Sequence, residues 1–126
     1  MEDIYLESSD YTPRVVLNRT DNIIEFTGKS YPSNTFEFFD PIMKWLKEYI
    51  KISQDEVTVV KFNLIYINSS TNQVLFEIFD LFYEEKRENL KIIFFNDHDE
   101  DDYEEDELFE DLSEEFPDLD IQLVRG

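Results

Sequence analysis

The chain contains no cysteine. That excludes a disulfide framework, a thiolate nucleophile and a cysteine metal site. Glycine occurs only as Gly28 and Gly126, so there is no glycine-rich loop to cradle a nucleotide phosphate, which argues against an ATP-binding enzyme. The single histidine, His98, lies in a polar acidic run where exposure is expected, and no serine–histidine–aspartate arrangement follows from spacing. No apolar run approaches the ~20 residues that a membrane-spanning helix needs. The opening MEDIYLESSD lacks the basic region and apolar core of a signal peptide, so a cytoplasmic location is the expectation. Positive charge is scarce as well: 11 Lys and Arg face 31 Asp and Glu, a net charge of −20. Such a surface is repelled by nucleic acid and by anionic membranes, and it favours basic partner surfaces.

Apolar residues are plentiful. The chain is 41% hydrophobic and 16% aromatic, with 12 Phe and 7 Tyr, enough for a real core in one domain spanning residues 1–126. The stretch from Val57 to Phe82 organises the rest. Val60, Phe62, Leu64 and Tyr66 fall on one face of an extended run; Val57, Val59, Ile65 and Ile67 fall on the other. This pattern predicts a strand covered on both sides. Four small polar residues follow, Asn68, Ser69, Ser70 and Thr71, and any of them can cap what comes next. Val74, Leu75, Ile78, Leu81 and Phe82 then keep helical spacing, with Glu77, Asp80 and Glu84 opposite. The reading is buried strand, polar turn, amphipathic helix.

Elsewhere, Ile4–Leu6 reads as a short strand. Arg14–Asn18 and Ile23–Thr27 read as a hairpin around Arg19-Thr20-Asp21-Asn22, because Asn and Asp tolerate left-handed backbone and bond locally. Gly28 is expected to end it. Ser30 to Asn34 is a loop in which Ser33 or Asn34 can cap a helix from Thr35 to Lys51. Pro41 within that helix implies either a kink or a new start capped by Asp40. Lys44, Lys47 and Lys51 share one face, which reads first as a solvated stripe and second as a dock for an acidic partner or segment. Lys91–Phe95 is a strand, Leu108, Phe109, Leu112 and Phe116 mark a helix stopped by Pro117, and Asp120–Val124 is a last strand. The predicted order is βββαβαβαβ. That implies an α/β (α+β) mixed sheet with helices packed on it, parallel later strands and the Val57 strand central.

Two candidate sites emerge. The acidic segment 97–107 places Asp97, Asp99 and Asp101 at alternate positions, as a calcium loop does. Asp102 stands where such a loop needs glycine and Leu108 where it needs glutamate, so the pattern fails at its most demanding places. A solvated acidic helix start is the plainer reading. The second candidate is Asn68-Ser69-Ser70-Thr71. One of these residues caps the helix, and an exposed hydroxyl at the positive end of a helix dipole also suits a phosphate. No carboxylate pair stands out as an acid/base couple, so no catalytic residue, metal ligand or cofactor is assigned.

Two motifs carry a resemblance. Gly28-Lys29-Ser30-Tyr31-Pro32-Ser33-Asn34, followed by Phe38-Phe39 and Trp45, resembles the G-x-S-Y-P-E-N segment and helix of the SiaC family of bacterial regulatory phosphoproteins. Tyr66-Ile67-Asn68-Ser69-Ser70 resembles that family's Y-L-N-T-S-S, and the acidic segment is similar too. The resemblance implies a STAS-like fold, related to anti-sigma-factor antagonists. It also implies a phosphoacceptor directly after the Asn, at Ser69, where Ser replaces the family's Thr. Asn68, Ser70, Thr71, Tyr31, Pro32 and Asn34 become the implied switch-turn and partner-binding residues; Ser33 departs from the family's Glu. The implied partners are a Ser/Thr kinase, a PP2C-type phosphatase and a diguanylate cyclase. The unphosphorylated form would activate that cyclase in cyclic di-GMP and biofilm signalling. The alternative is a STAS-like anti-sigma-factor antagonist or scaffold with another protein target.

Overall fold

Among the described residues, six strands form one sheet in their order along the chain. The computed structural model describes residues 1–86, 88–96 and 103–125. The strands are β1 (Ile4–Leu6), β2 (Arg14–Asn18), β3 (Ile23–Ser30), β4 (Thr58–Ile67), β5 (Leu90–Asn96) and β6 (Ile121–Arg125). The helices are α1 (Thr35–Ile52), α2 (Ser69–Lys86) and α3 (Tyr103–Glu115). β1, β2 and β3 pair antiparallel, and β3 to β6 pair parallel, each parallel pair joined through a helix. The predicted order and the central place of β4 are both found.

Register explains the core. Ile4, Leu17, Ile24, Val60, Ile92 and Ile121 form one cross-strand row; Leu6, Val15, Phe26, Phe62, Phe94 and Leu123 form the next. Phe26, Phe62 and Phe94 stack along the second row, with ring centroids 5.4 and 4.9 Å apart. The helices lay Phe39, Leu46, Leu75, Ile78, Phe79, Phe82, Leu112 and Phe116 onto these rows, all of them buried. Burial of each such side chain is worth about 1.5–3 kcal/mol.

The other sheet face is open, which corrects the expectation that β4 is covered on both sides. Thr58, Val60, Phe62 and Leu64 are buried, whereas Val59, Lys61 and Asn63 are half-buried and Ile65 is 41% exposed. The physical reason is topological. Right-handed crossovers repeated between successive neighbouring strands place every helix on one face. Glu25 on the open face lies 3.5 Å from Arg14 and 3.6 Å from Lys61.

Two further expectations change. Gly28 does not end its strand; β3 runs on to Ser30 through a bulge, with Gly28 at φ 111° and the register against β4 shifting after it. Of the two readings of Pro41, the new start capped by Asp40 is not found. α1 is one element from Thr35 to Ile52, capped by Asn34, whose side chain accepts from the Glu37 amide at 3.1 Å. Lys44, Lys47 and Lys51 are exposed, and Lys44 pairs with Asp40 at 2.9 Å.

The end of the sheet where β4 begins is fastened by Tyr49, which is fully buried. Its hydroxyl donates to Asn22 Oδ1 at 2.9 Å and meets Thr58 Oγ1 at 2.6 Å. Asn22 holds the hairpin turn at φ 55°, and Asp21 donates its amide to Asn18 Oδ1. No helix among the described residues is long and apolar enough to cross a membrane.

Candidate functional site

β4 delivers its last residues to the end of the sheet where the parallel strands finish, and α2 starts at once. Asn68 is the cap: its Oδ1 accepts from the Thr71 amide at 2.8 Å, and its carbonyl accepts from Asn72 at 3.0 Å. Of the four candidates, this leaves the three hydroxyl residues as the first turn of α2, and their side chains point to different places. Ser69 is exposed, Ser70 is half-buried, and Thr71 is buried.

Thr71 is fixed by the other motif. Its hydroxyl lies 2.9 Å from Ser30 Oγ and donates to the Ser30 carbonyl at 3.2 Å. The same carbonyl receives the Asn68 amide at 3.0 Å. The end of β3 and the start of α2 are thus stitched together, and the two motifs form one corner of the molecule.

Tyrosines extend that corner. Tyr31 makes edge-on contacts with Tyr11 and Tyr66, each with ring centroids 5.4 Å apart, and its amide donates to the Tyr11 carbonyl. Tyr66 is 42% exposed and Tyr11 59%. Pro32 is buried beside them, while Asn34 faces solvent as the α1 cap. A depression of about 420 Å³ is lined by Ser9, Tyr11, Thr12, Tyr31, Pro32 and Ser33.

Ser69 opens on the other side into a groove of about 310 Å³, lined by Ile67, Asn68, Ser69, Asn72, Glu107, Leu108 and Asp111. The last three come from α3, which reaches across to β4 as well as packing on β5 and β6. The local electrostatics are uneven. The first turn of α2 carries no acidic residue in a chain with 31 of them, so its positive dipole end is not neutralised from within. Among the described residues, two carboxylates line the groove, Glu107 and Asp111, across from Ser69. Free helix-start amides and an exposed hydroxyl favour a phosphate at Ser69; the facing carboxylates oppose extra negative charge in the groove.

Asp97, His98, Asp99, Asp101 and Asp102, the core of the calcium-loop candidate, lie outside the described residues. Leu108, at its twelfth position, is buried in the core on α3. Among the described residues no cluster of three or more acidic or histidine side chains is placed to hold a metal ion.

Comparison with known proteins decides the family. A model described as SiaC family regulatory phosphoprotein matches residues 6–126. This chain belongs to that family. The crystal structure of apo-SiaC from Pseudomonas aeruginosa superposes with a TM-score of 0.85, covering 98% of this chain and 99% of that one at 20% identity. A chain in the crystal structure of diguanylate cyclase SiaD in complex with its activator SiaC, also from Pseudomonas aeruginosa, superposes at 0.84 with 20% identity, covering 98% and 100%. An uncharacterized protein of Pseudomonas aeruginosa strain UCBPP-PA14 is 25% identical over 81 residues, 64% of this chain; the match spans 64% of that relative's length. The SiaC fold is therefore common to chains that differ at four positions in five.

The motif residues of the family meet in space, yet several residues that build the corner carry no signal in the sequence. Ser30 lies inside the first motif without a visible role, and Tyr11 lies outside both motifs. Glu107 and Asp111 are two acids among 31.

Proposed function

We propose that this SiaC family member is a non-enzymatic phospho-switch whose acceptor is Ser69. In this reading a Ser/Thr kinase phosphorylates Ser69 and a PP2C-type phosphatase reverses it. The unphosphorylated form binds and activates a diguanylate cyclase, which places the protein in cyclic di-GMP and biofilm control.

The observation that carries the reading is the division of labour among the three hydroxyls. Thr71 is buried in a bond to Ser30, and Ser69 stands exposed on the first turn of an acid-free helix start. An acceptor must reach a kinase active site, and Ser69 is the most accessible of the three. The SiaD–SiaC complex is a property of those proteins; a cyclase partner here rests on family membership and the shared fold. Tyr31 and Tyr66, with Pro32 and Asn34, belong to the same two motifs and are proposed to form part of the docking surface. Exposed aromatic side chains are frequent anchors in protein interfaces.

The test is site-resolved phosphopeptide mass spectrometry on protein from its own cells, joined to target binding. Phosphate is expected on Ser69, with tight cyclase binding by unphosphorylated protein and by Ser69→Ala, and weak binding by the phosphorylated form. Equal affinity of all three for the cyclase would refute the switch. Capture of an anti-sigma factor in place of a cyclase would move the protein to the alternative target.

A further inference from the structure

We infer that phosphate on Ser69 acts on the fold by repelling Glu107 and Asp111, which loosens the start of α3 from the corner formed by β4 and α2. The inference rests on the reading of Ser69 as the acceptor and says what the modification does next.

The groove is shared between two helices. α2 contributes Ser69 and Asn72; α3 contributes Glu107, Leu108 and Asp111. Glu107 and Asp111 are four residues apart, so they sit on one helix face, and both are exposed. A phosphoserine carries about −1.5 to −2 charge at pH 7. On Ser69 it faces two carboxylates that line the same solvated groove, a repulsion that physiological salt, with a Debye length of about 8 Å, weakens as the separation grows. Among the described residues no basic side chain lines the groove to compensate.

The two helices feel this charge with opposite sign. For α2 the phosphate sits at the positive end of the dipole and adds an acceptor beside the first amides, so the helix start is stabilised. For α3 the same charge is repulsive.

How α3 is held determines what gives way. Its far end is clamped by aromatic packing: Phe116 has ring centroids 5.9 Å from Phe79, 5.9 Å from Tyr83 and 6.4 Å from Phe76. Its start depends on Leu108 and on Phe109, whose ring packs edge-on against Phe94 at 5.9 Å. Repulsion at the groove therefore lifts the first turns while the Phe116 end stays docked. An exposed change of charge becomes a change in a surface element, which a partner protein can read.

The test installs phosphoserine at position 69 by genetic encoding and follows amide hydrogen exchange by mass spectrometry. Modified and unmodified protein are compared, each also carrying Glu107→Gln with Asp111→Asn. In the wild-type background the phosphate is expected to speed exchange in residues 108–112 by about threefold to tenfold, the scale of a double charge against two screened carboxylates, and to slow it at the start of α2. In the neutralised background the α3 effect is expected to vanish. Unchanged or slower exchange in α3 on phosphorylation would overturn the inference, as would an equal increase in the neutralised variant. Because the phosphate is installed directly, absence of native phosphate on Ser69 would refute the proposed function and leave this measurement intact.

Discussion

The hydroxyls of Ser30 and Thr71 lie 2.9 Å apart, 41 residues separated in sequence and each 1% exposed. This pair ties the end of β3 to the first turn of α2. It explains why two short motifs, neither adjacent to the other in the chain, belong to one site. It also removes Thr71 from the surface, so that the exposed hydroxyl of the turn is Ser69. A buried pair of this kind makes the turn rigid. Rigidity suits a switch, because an added charge is then resisted by the turn and passed to its neighbours.

Replacing Thr71 by Val tests the tie. The substitution keeps the shape and leaves the Ser30 carbonyl without the Thr71 donor and the Ser30 hydroxyl without its Thr71 partner. A loss of about 1–3 kcal/mol is expected, read from the urea midpoint at unchanged slope. Ser30→Ala should cost less, because Thr71 can still donate to the Ser30 carbonyl at 3.2 Å. The double variant should fall short of the sum, as contacting residues do. Strict additivity would show that the pair carries no coupling.

Acceptor choice follows from exposure. A purified kinase acting on the folded protein is expected to label Ser69, to label Ser70 weakly and to leave Thr71 unmodified. In Ser69→Ala, label should not move to Thr71, since reaching it requires breaking the Ser30 bond and opening the corner. Phosphopeptide sequencing decides; label on Thr71 in folded protein would contradict the burial argument.

Much of this architecture was legible in the sequence, and the exceptions have physical causes. Element order and the central strand could be read because hydrophobic period separates strands from helices. The open face of β4 could not. Val59, Ile65 and Ile67 are apolar although half-exposed or exposed, because β-branched side chains suit strands whether or not a layer covers them. Gly28 reads as a terminator because glycine breaks strands, whereas here it lies within one, opposite a bulge whose extra residue is Ile65 of β4. The cap was open among four residues, all good cappers, until the Asn68 side chain met the Thr71 amide. Glu107 and Asp111 could not be singled out, since only the packing of α3 across β4 brings them to Ser69.

Tyr49 sets a pH limit. Burial raises its pKa above 10.0, outweighing the hydrogen bonds from Thr58 and Ser53 and the nearby Arg19 charge, which act to lower it. The neutral phenol is thus favoured in the folded state. Its contribution is fully present below the unfolded pKa of 10.0 and is lost as pH rises through the folded value. Tyr49→Phe removes the bond to Asn22 and the bond with Thr58. It should cost about 1–3 kcal/mol at pH 7. Thermal melts from neutral to strongly alkaline pH should show the gap between wild type and variant narrowing above pH 10, because the wild type alone loses this term. A gap that is constant with pH would refute the assignment.

Gly28 carries the last expectation. At φ 111° it occupies backbone space that side-chain-bearing residues rarely adopt. A Cβ built there would meet nothing closer than the Pro13 Cα at 4.0 Å, so room is not the obstacle. Gly28→Ala should therefore be destabilising through the backbone alone, by about 1–3 kcal/mol. At the irregularity beside it, where Ile65 of β4 has no partner on β3, the register shifts so that Ser30 comes opposite Ile67, next to the Asn68 cap. If the alanine relaxes that irregularity, the damage is local. Amide exchange should quicken at Asn68, which donates to the Ser30 carbonyl, and at Tyr31, which donates to Tyr11, before it quickens in α1. Uniform quickening across the chain would mean that Gly28 supports global stability alone and does not position the corner formed by Ser30 and Asn68.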